Sequence, residues 1–152
     1  MDIEQARYNM VEQQIRPWDV LNQDVLNLLF KIRREDFVPE AHRALAFVDM
    51  EIPLGHGQAM WTPKLEARVI QELVIRPTDR VLEIGTGSGY LTALLSTQAA
   101  EVVSVEIVPE FTAAASQKLR AHGFDNIRLH TGDAACDWPD EAGFDVIVLT
   151  GS

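Results

Sequence analysis

The chain has 152 residues, 47% hydrophobic and 24% charged, enough for one globular domain with a core of its own. A formal net charge of −10 argues against a broad nucleic-acid-binding face, because the phosphate backbone would be repelled, and leaves room only for a local basic patch. No apolar run reaches the ~18 residues of a membrane span, no basic-then-apolar leader opens the chain, and the single cysteine, Cys136, forbids an intrachain disulfide, so a cytoplasmic setting is expected.

Residues Ile3 to Ile15 carry Ile3, Ala6, Met10, Val11 and Ile15 near helical period, which predicts a first helix ended by Arg16-Pro17. Asn22 suits the cap of a second helix with Val25, Leu26, Leu29 and Ile32 on one face. Pro39 suits the first turn of a short third helix, Pro39 to Ala46. Phe47 to Gly57 reads as irregular. Thr62-Pro63 then reads as a cap and first helical residue, with Leu65, Val69, Ile70 and Leu73 on the apolar face. Together these make a helical leader over residues 1–76, expected to pack on a sheet formed by 77–152, all within one domain.

From Val81 the pattern changes. Val81 to Ile84 reads as a buried strand, Gly85, Gly87 and Gly89 make a turn, and Tyr90 to Ser96 opens a helix straight from it. Glu101 to Ile107 is a second strand, Pro109 opens a helix that Gly123 closes through His122, Asn126 to Thr131 is a third strand, and Phe144 to Thr150 a fourth. Strands alternating with helices predict an α/β fold, a parallel, doubly wound sheet in the order 3-2-1-4. The fourth strand alternates little between apolar and polar and so reads as one meant for burial on both faces, but at the open sheet edge of this chain its main-chain groups and apolar side chains are expected to be exposed.

Ligands of such sheets sit beyond the carboxyl ends of the strands. A dinucleotide turn places its third glycine at the sixth position, where this chain has the bulky Tyr90. The spacing Glu83-x-Gly85-x-Gly87-x-Gly89 instead resembles the first motif of S-adenosylmethionine-dependent methyltransferases, whose cofactor carries no pyrophosphate. The expected cofactor residues in and around the turn are Glu83, Gly85, Thr86, Gly87, Ser88 and Gly89. Glu106, at the tip of the second strand with Ile107 beside it, is placed to accept hydrogen bonds from both ribose hydroxyls. Asp133 and Ala134, after the third strand, suit the adenine amino group, although Asp133 also favours an Asx turn. Thr150, after the fourth, lines the same crevice. His42, His56, His122 and His130 lack metal-ligand spacing, so no metal is expected, and His56 reads as a loop residue. Cys136, Trp18 and Trp138 read as packing residues.

Beyond the glycine motif, almost the whole chain resembles the protein-L-isoaspartate (D-aspartate) O-methyltransferase family. Met10 to Ile15, Arg34 to Pro39 and Ile52 to Gln58 are similar to that family's leader; Val81 to Thr92, Gly132-Asp133, Asp137 to Pro139 and Phe144 to Thr150 are similar to its core. The resemblance implies a Rossmann-like methyltransferase fold, S-adenosylmethionine as cofactor, and methylation of isoaspartyl carboxylates on proteins or peptides. There are two departures. The family's active-site serine aligns with Trp61, and Thr62, the nearest hydroxyl, is displaced by one residue, which raises the alternative of a cofactor-binding paralogue with another substrate or none. The family also continues past the fourth strand, so this chain reads as a cofactor half whose exposed fourth strand is open to pairing with a second copy.

Overall fold

The computed structural model describes residues 2–136 and 142–151. The Asp137 to Pro139 segment, Trp138 with it, and Ser152 lie outside the described residues. The chain divides into two compact units, Met1–Val74 and Ile75–Ser152.

The first unit begins with α1 (Ile3–Asn9), where Asp2 accepts from the amide of Gln5 as its cap. The continuous helix expected to Ile15 changes winding at Met10: Met10–Ile15 is a π-helical segment and Arg16–Trp18 a 3-10 turn that ends at Asp19 in the left-handed region. The wider winding still buries Met10, Val11 and Ile15, the residues that suggested the helix. α2 (Gln23–Lys31) starts where Asn22 predicts it, with the Asn22 side chain accepting from the amides of Asp24 and Val25. The expected third helix is a 3-10 segment, Glu40–Leu45. The stretch read as irregular contains a small antiparallel hairpin, β1 (Ile52–Gly55) and β2 (Gln58–Met60). Its turn holds His56 at φ 53° and Gly57 at φ 71°, so His56 is a loop residue and is exposed. α3 (Pro63–Leu73) begins with proline in its first turn, as read, but the Thr62 hydroxyl makes no capping bond.

Two buried ion pairs organise this unit. Arg7, 1% exposed, reaches both oxygens of Glu35 at 2.8 and 2.9 Å and also holds Glu4. Burial alone would raise the Glu35 carboxyl, but the hydrogen bonds from Arg7, its own backbone amide and Arg33 outweigh it and hold the group at about 2. Arg34, wholly buried, donates to the carbonyls of Ala46 and Trp61 and to Glu66 on α3. Trp18, read as packing, is 44% exposed, and the Lys64 ammonium sits 4.5 Å from its ring centroid.

The second unit is the α/β layer. β3 (Arg80–Ile84), β4 (Glu101–Glu106), β5 (Ile127–Thr131) and β6 (Val146–Leu149) form one parallel sheet in the order β5-β4-β3-β6, which is the predicted 3-2-1-4. α4 (Tyr90–Gln98) connects β3 to β4 and α5 (Pro109–Ala121) connects β4 to β5. α5 closes as its sequence implies: Gly123 takes φ 77°, and the Phe124 amide reaches back to the Leu119 carbonyl. Leu82, Val103 and Val105 are buried on one face, with Ile84, Ala134 and Phe144 packed on them. α4 is buried over most of its length: Tyr90 to Ser96 are all buried, and Thr97 is exposed.

β6 lies at the sheet edge with apolar side chains exposed, as expected. Val148 is 6% exposed, but Ile147 and Leu149 are 59% and 70% exposed, so the strand buries one face rather than two. Among the described residues it pairs with β3 alone, and its side chains alternate as in a half-covered strand.

Candidate functional site: the carboxyl ends of the strands

The glycine turn follows β3 directly. Gly85, Gly87 and Gly89 all have positive φ, at 107°, 54° and 88°, a region open to glycine without strain. Gly85 is needed for a second reason. A Cβ there would meet the Gly151 nitrogen at 2.5 Å and the Thr150 hydroxyl at 2.8 Å, because the end of β6 crosses closely at this point. The amides of Thr150 and Gly151 both bond the Ile84 carbonyl at 2.8 Å, and the Thr150 hydroxyl donates to the Ile84 and Gly85 carbonyls. Thr150 is thus brought to the site as expected, tied to the turn through its side chain. Gly89 caps α4 in the left-handed region, and the Tyr90 amide that opens the helix donates to the Ser88 hydroxyl at 3.3 Å.

Glu106 ends β4 and is 6% exposed. One carboxylate oxygen accepts from the Gly87 amide at 2.8 Å and the other from the Val108 amide at 3.0 Å. The acid thus stands against the glycine turn, held by two charge-assisted bonds. Ile107 beside it falls just outside the strand and is 62% exposed, an apolar surface next to the acid. Beyond β5, the Gly132 amide bonds the Glu106 carbonyl at 2.9 Å, which brings the Asp133 loop to the same end of the sheet. Asp133 forms the Asx turn its residue type favours, accepting from the Ala135 amide at 2.9 Å. It is exposed, with Ala134 half-buried next to it. Cys136, expected to be packed, is exposed; its thiol bonds Asp133, which pushes its pKa up and makes it a poorer nucleophile.

Glu83 differs from its neighbours. It was expected to touch the cofactor, but it is wholly buried in the middle of the sheet layer. One of its oxygens accepts from the Thr92 hydroxyl of α4 and from the Ser104 hydroxyl of β4 at 2.7 Å. Ser104 in turn shares a 2.6 Å hydrogen bond with Thr86 of the glycine turn. The second Glu83 oxygen has no partner among the described residues. Burial pushes this carboxyl up to about 7, against the pull of Thr92 and Ser104 and with added repulsion from Glu106. Nothing in the spacing of the motif distinguishes Glu83 from the residues at the crevice. The nearest signal was hydroxyls at 92 and 104, in segments that otherwise read as apolar.

Trp61, at the aligned serine position, is half-buried in the first unit, and its carbonyl accepts from Arg34 at 2.9 Å. The motif Arg34 to Pro39 contains Arg34 but carries no sign of its clamp on Trp61.

The model of the protein-L-isoaspartate(D-aspartate) O-methyltransferase family matches residues 5–152. A protein-L-isoaspartate O-methyltransferase of Myxococcus xanthus is 47% identical over 84% of this chain and 60% of its own length. Another, from Gloeobacter violaceus, is 42% identical over 94% of this chain and 70% of its own. The chain therefore spans about 60% of the length of the Myxococcus relative. Among solved structures, a Plasmodium falciparum protein described as a putative protein-L-isoaspartate O-methyltransferase in complex with S-adenosyl-L-homocysteine overlays with TM-score 0.75 at 19% identity. The overlay covers 98% of this chain and 73% of that one and shows the shared fold. On the family match and these relatives, the chain belongs to the protein-L-isoaspartate (D-aspartate) O-methyltransferase family.

Proposed function

We propose that the chain binds S-adenosylmethionine at the carboxyl ends of β3, β4 and β5 and serves methylation of isoaspartyl carboxylates, as a cytoplasmic repair enzyme. The observation that carries this reading is Glu106, which stands against the glycine turn with its carboxylate on the Gly87 amide. A carboxylate accepts several donors, so ribose hydroxyls can add to the two amide bonds already present. The rest of the donor set fits the same group. Gly85, Thr86, Gly87, Ser88 and Gly89 present main chain, Ile107 an apolar surface, Asp133 and Ala134 the adenine end, and Thr150 the far wall. Glu83 acts from beneath, through Thr86 and Ser104. When bound, the cofactor supplies an electrophilic methyl group on a sulfonium. The protein's part is to position an acceptor carboxylate in line with it.

The relatives' names favour the catalytic reading over the one in which Trp61 abolishes turnover. Radiolabel from methyl-labelled cofactor should pass to an isoaspartyl peptide and not to its aspartyl isomer. Cofactor binding with no transfer to the isoaspartyl peptide would overturn the catalytic reading in favour of a binding module. The bare edge of β6, with Ile147 and Leu149 exposed, is proposed to pair with a second copy of the chain. Sedimentation should show concentration-dependent association, and a monomer at every concentration would refute the pairing.

A further inference from the structure

We infer that Glu83 is a positioning residue for the glycine turn, whose carboxyl joins the turn, β4 and α4 through Thr86, Ser104 and Thr92 and whose charge favours a cationic cofactor over an uncharged one. The inference rests on the cofactor reading above. Its geometry lies entirely in the second unit. Glu83 is fully buried in β3. Thr92 donates to it from the first turns of α4, and Ser104 donates from β4. With the Ser104 proton directed at Glu83, the 2.6 Å contact to Thr86 requires the Thr86 hydroxyl to be the donor. The chain of donors Thr86 to Ser104 to Glu83 fixes the first side chain of the turn by the charge at its far end.

Both known donors converge on one oxygen, while the other is buried without a partner among the described residues. A buried anion with half its acceptor capacity empty is costly, and protonation relieves the cost. The groups facing Glu83 bear this out. Thr86, Thr92 and Ser104 are neutral hydroxyls, its register partners Val148 on β6 and Ser104 on β4 carry no charge, and among the described residues the charged side chain that acts on it is the repelling Glu106. The protein therefore holds Glu106 against the turn and, beneath it, a second carboxyl at Glu83 whose charge appears only when its proton leaves. S-adenosylmethionine carries a net positive charge through its sulfonium, and S-adenosylhomocysteine, the product, carries none. A second buried anion attracts the first ligand and not the second, in surroundings where water screens little. As pH rises through about 7, preference should shift from product toward cofactor.

Two measurements test this on the intact chain. In a ligand-free amide NMR titration, the amides of Thr86, Gly87, Thr92 and Ser104 should shift with a midpoint near 7, and the step should vanish in Glu83→Gln. The same step in Glu83→Gln, or no step in the parent protein, would overturn the inference whether or not any cofactor binds. In calorimetry, the ratio of S-adenosylmethionine to S-adenosylhomocysteine affinity should rise severalfold between pH 6 and pH 8.5 in the parent, on the scale of about one unit either side of a shifted carboxyl, and stay flat in Glu83→Gln. A ratio that rises equally in both proteins would refute the charge discrimination. Failure of both ligands to bind either protein would instead refute the cofactor reading and leave the NMR result to decide the positioning role.

Discussion

Replacing Gly85 by alanine should cost far more than a glycine substitution at an open turn. The Cβ would lie 2.5 Å from the Gly151 nitrogen, 2.8 Å from its Cα and 2.8 Å from the Thr150 hydroxyl, all parts of main chain or of a side chain tied to it. The backbone must also keep φ near 107°, which costs a residue with a Cβ about 1–3 kcal/mol. Relieving the clash moves the end of β6 and weakens the two amide bonds to Ile84, each worth about 0.5–1.5 kcal/mol. We expect a loss of about 3 kcal/mol. Gly123→Ala is the matched control: φ is 77°, but no atom of the described residues lies within 4 Å of its Cβ, so only strain of about 1 kcal/mol is expected. Urea unfolding of both variants, read at unchanged m, isolates the steric part at about 2 kcal/mol. A difference below about 0.5 kcal/mol would show that the close crossing of β6 over the turn does not constrain the fold.

Glu106→Ala should weaken S-adenosylhomocysteine binding by about 1–3 kcal/mol, the range of a charge-assisted hydrogen bond, and calorimetry on the folded variant reads it directly. Glu66→Ala leaves Arg34 buried without its carboxylate and should cost the first unit about 3–5 kcal/mol in urea unfolding; a loss below about 1 kcal/mol would show the pair to be dispensable. Glu35 titrates at about 2 in the folded chain against an ordinary value of 4.5. Its contribution is therefore complete above about 4.5 and lost as pH falls toward 2. Acid titrations of the parent and Glu35→Gln should diverge above that window and converge below it.

The layer from β3 to β5 was legible because its strands are apolar, its glycines punctuate one turn, and Pro109 and Gly123 bracket α5, the glycine two residues past Ala121. Local chemistry of that kind acts at the position where it is written. The hairpin of β1 and β2 escaped because Pro53, Gly55 and Gly57 read as breakers, while its pairing depends on a positive-φ turn at His56. The π-helical winding of Met10–Ile15 also escaped, since the apolar spacing fits either winding. Among site residues, Glu106 and Thr150 stand at strand ends, where topology alone sends them. Glu83 sits in the same motif, but its side chain turns into the layer toward Thr92 and Ser104. Which way a motif side chain faces depends on partners distant in sequence. The same reason hid Arg34, whose acceptors include residues 46, 61 and 66.

The central claim is that the glycine turn and Glu106 form an S-adenosylmethionine site. Titration of the chain with S-adenosylhomocysteine by calorimetry tests it most directly. One saturable site per chain is predicted, undisturbed by an excess of nicotinamide dinucleotide and strongly weakened in Glu106→Ala. No heat of binding from folded protein, or equal displacement by the dinucleotide, would contradict it.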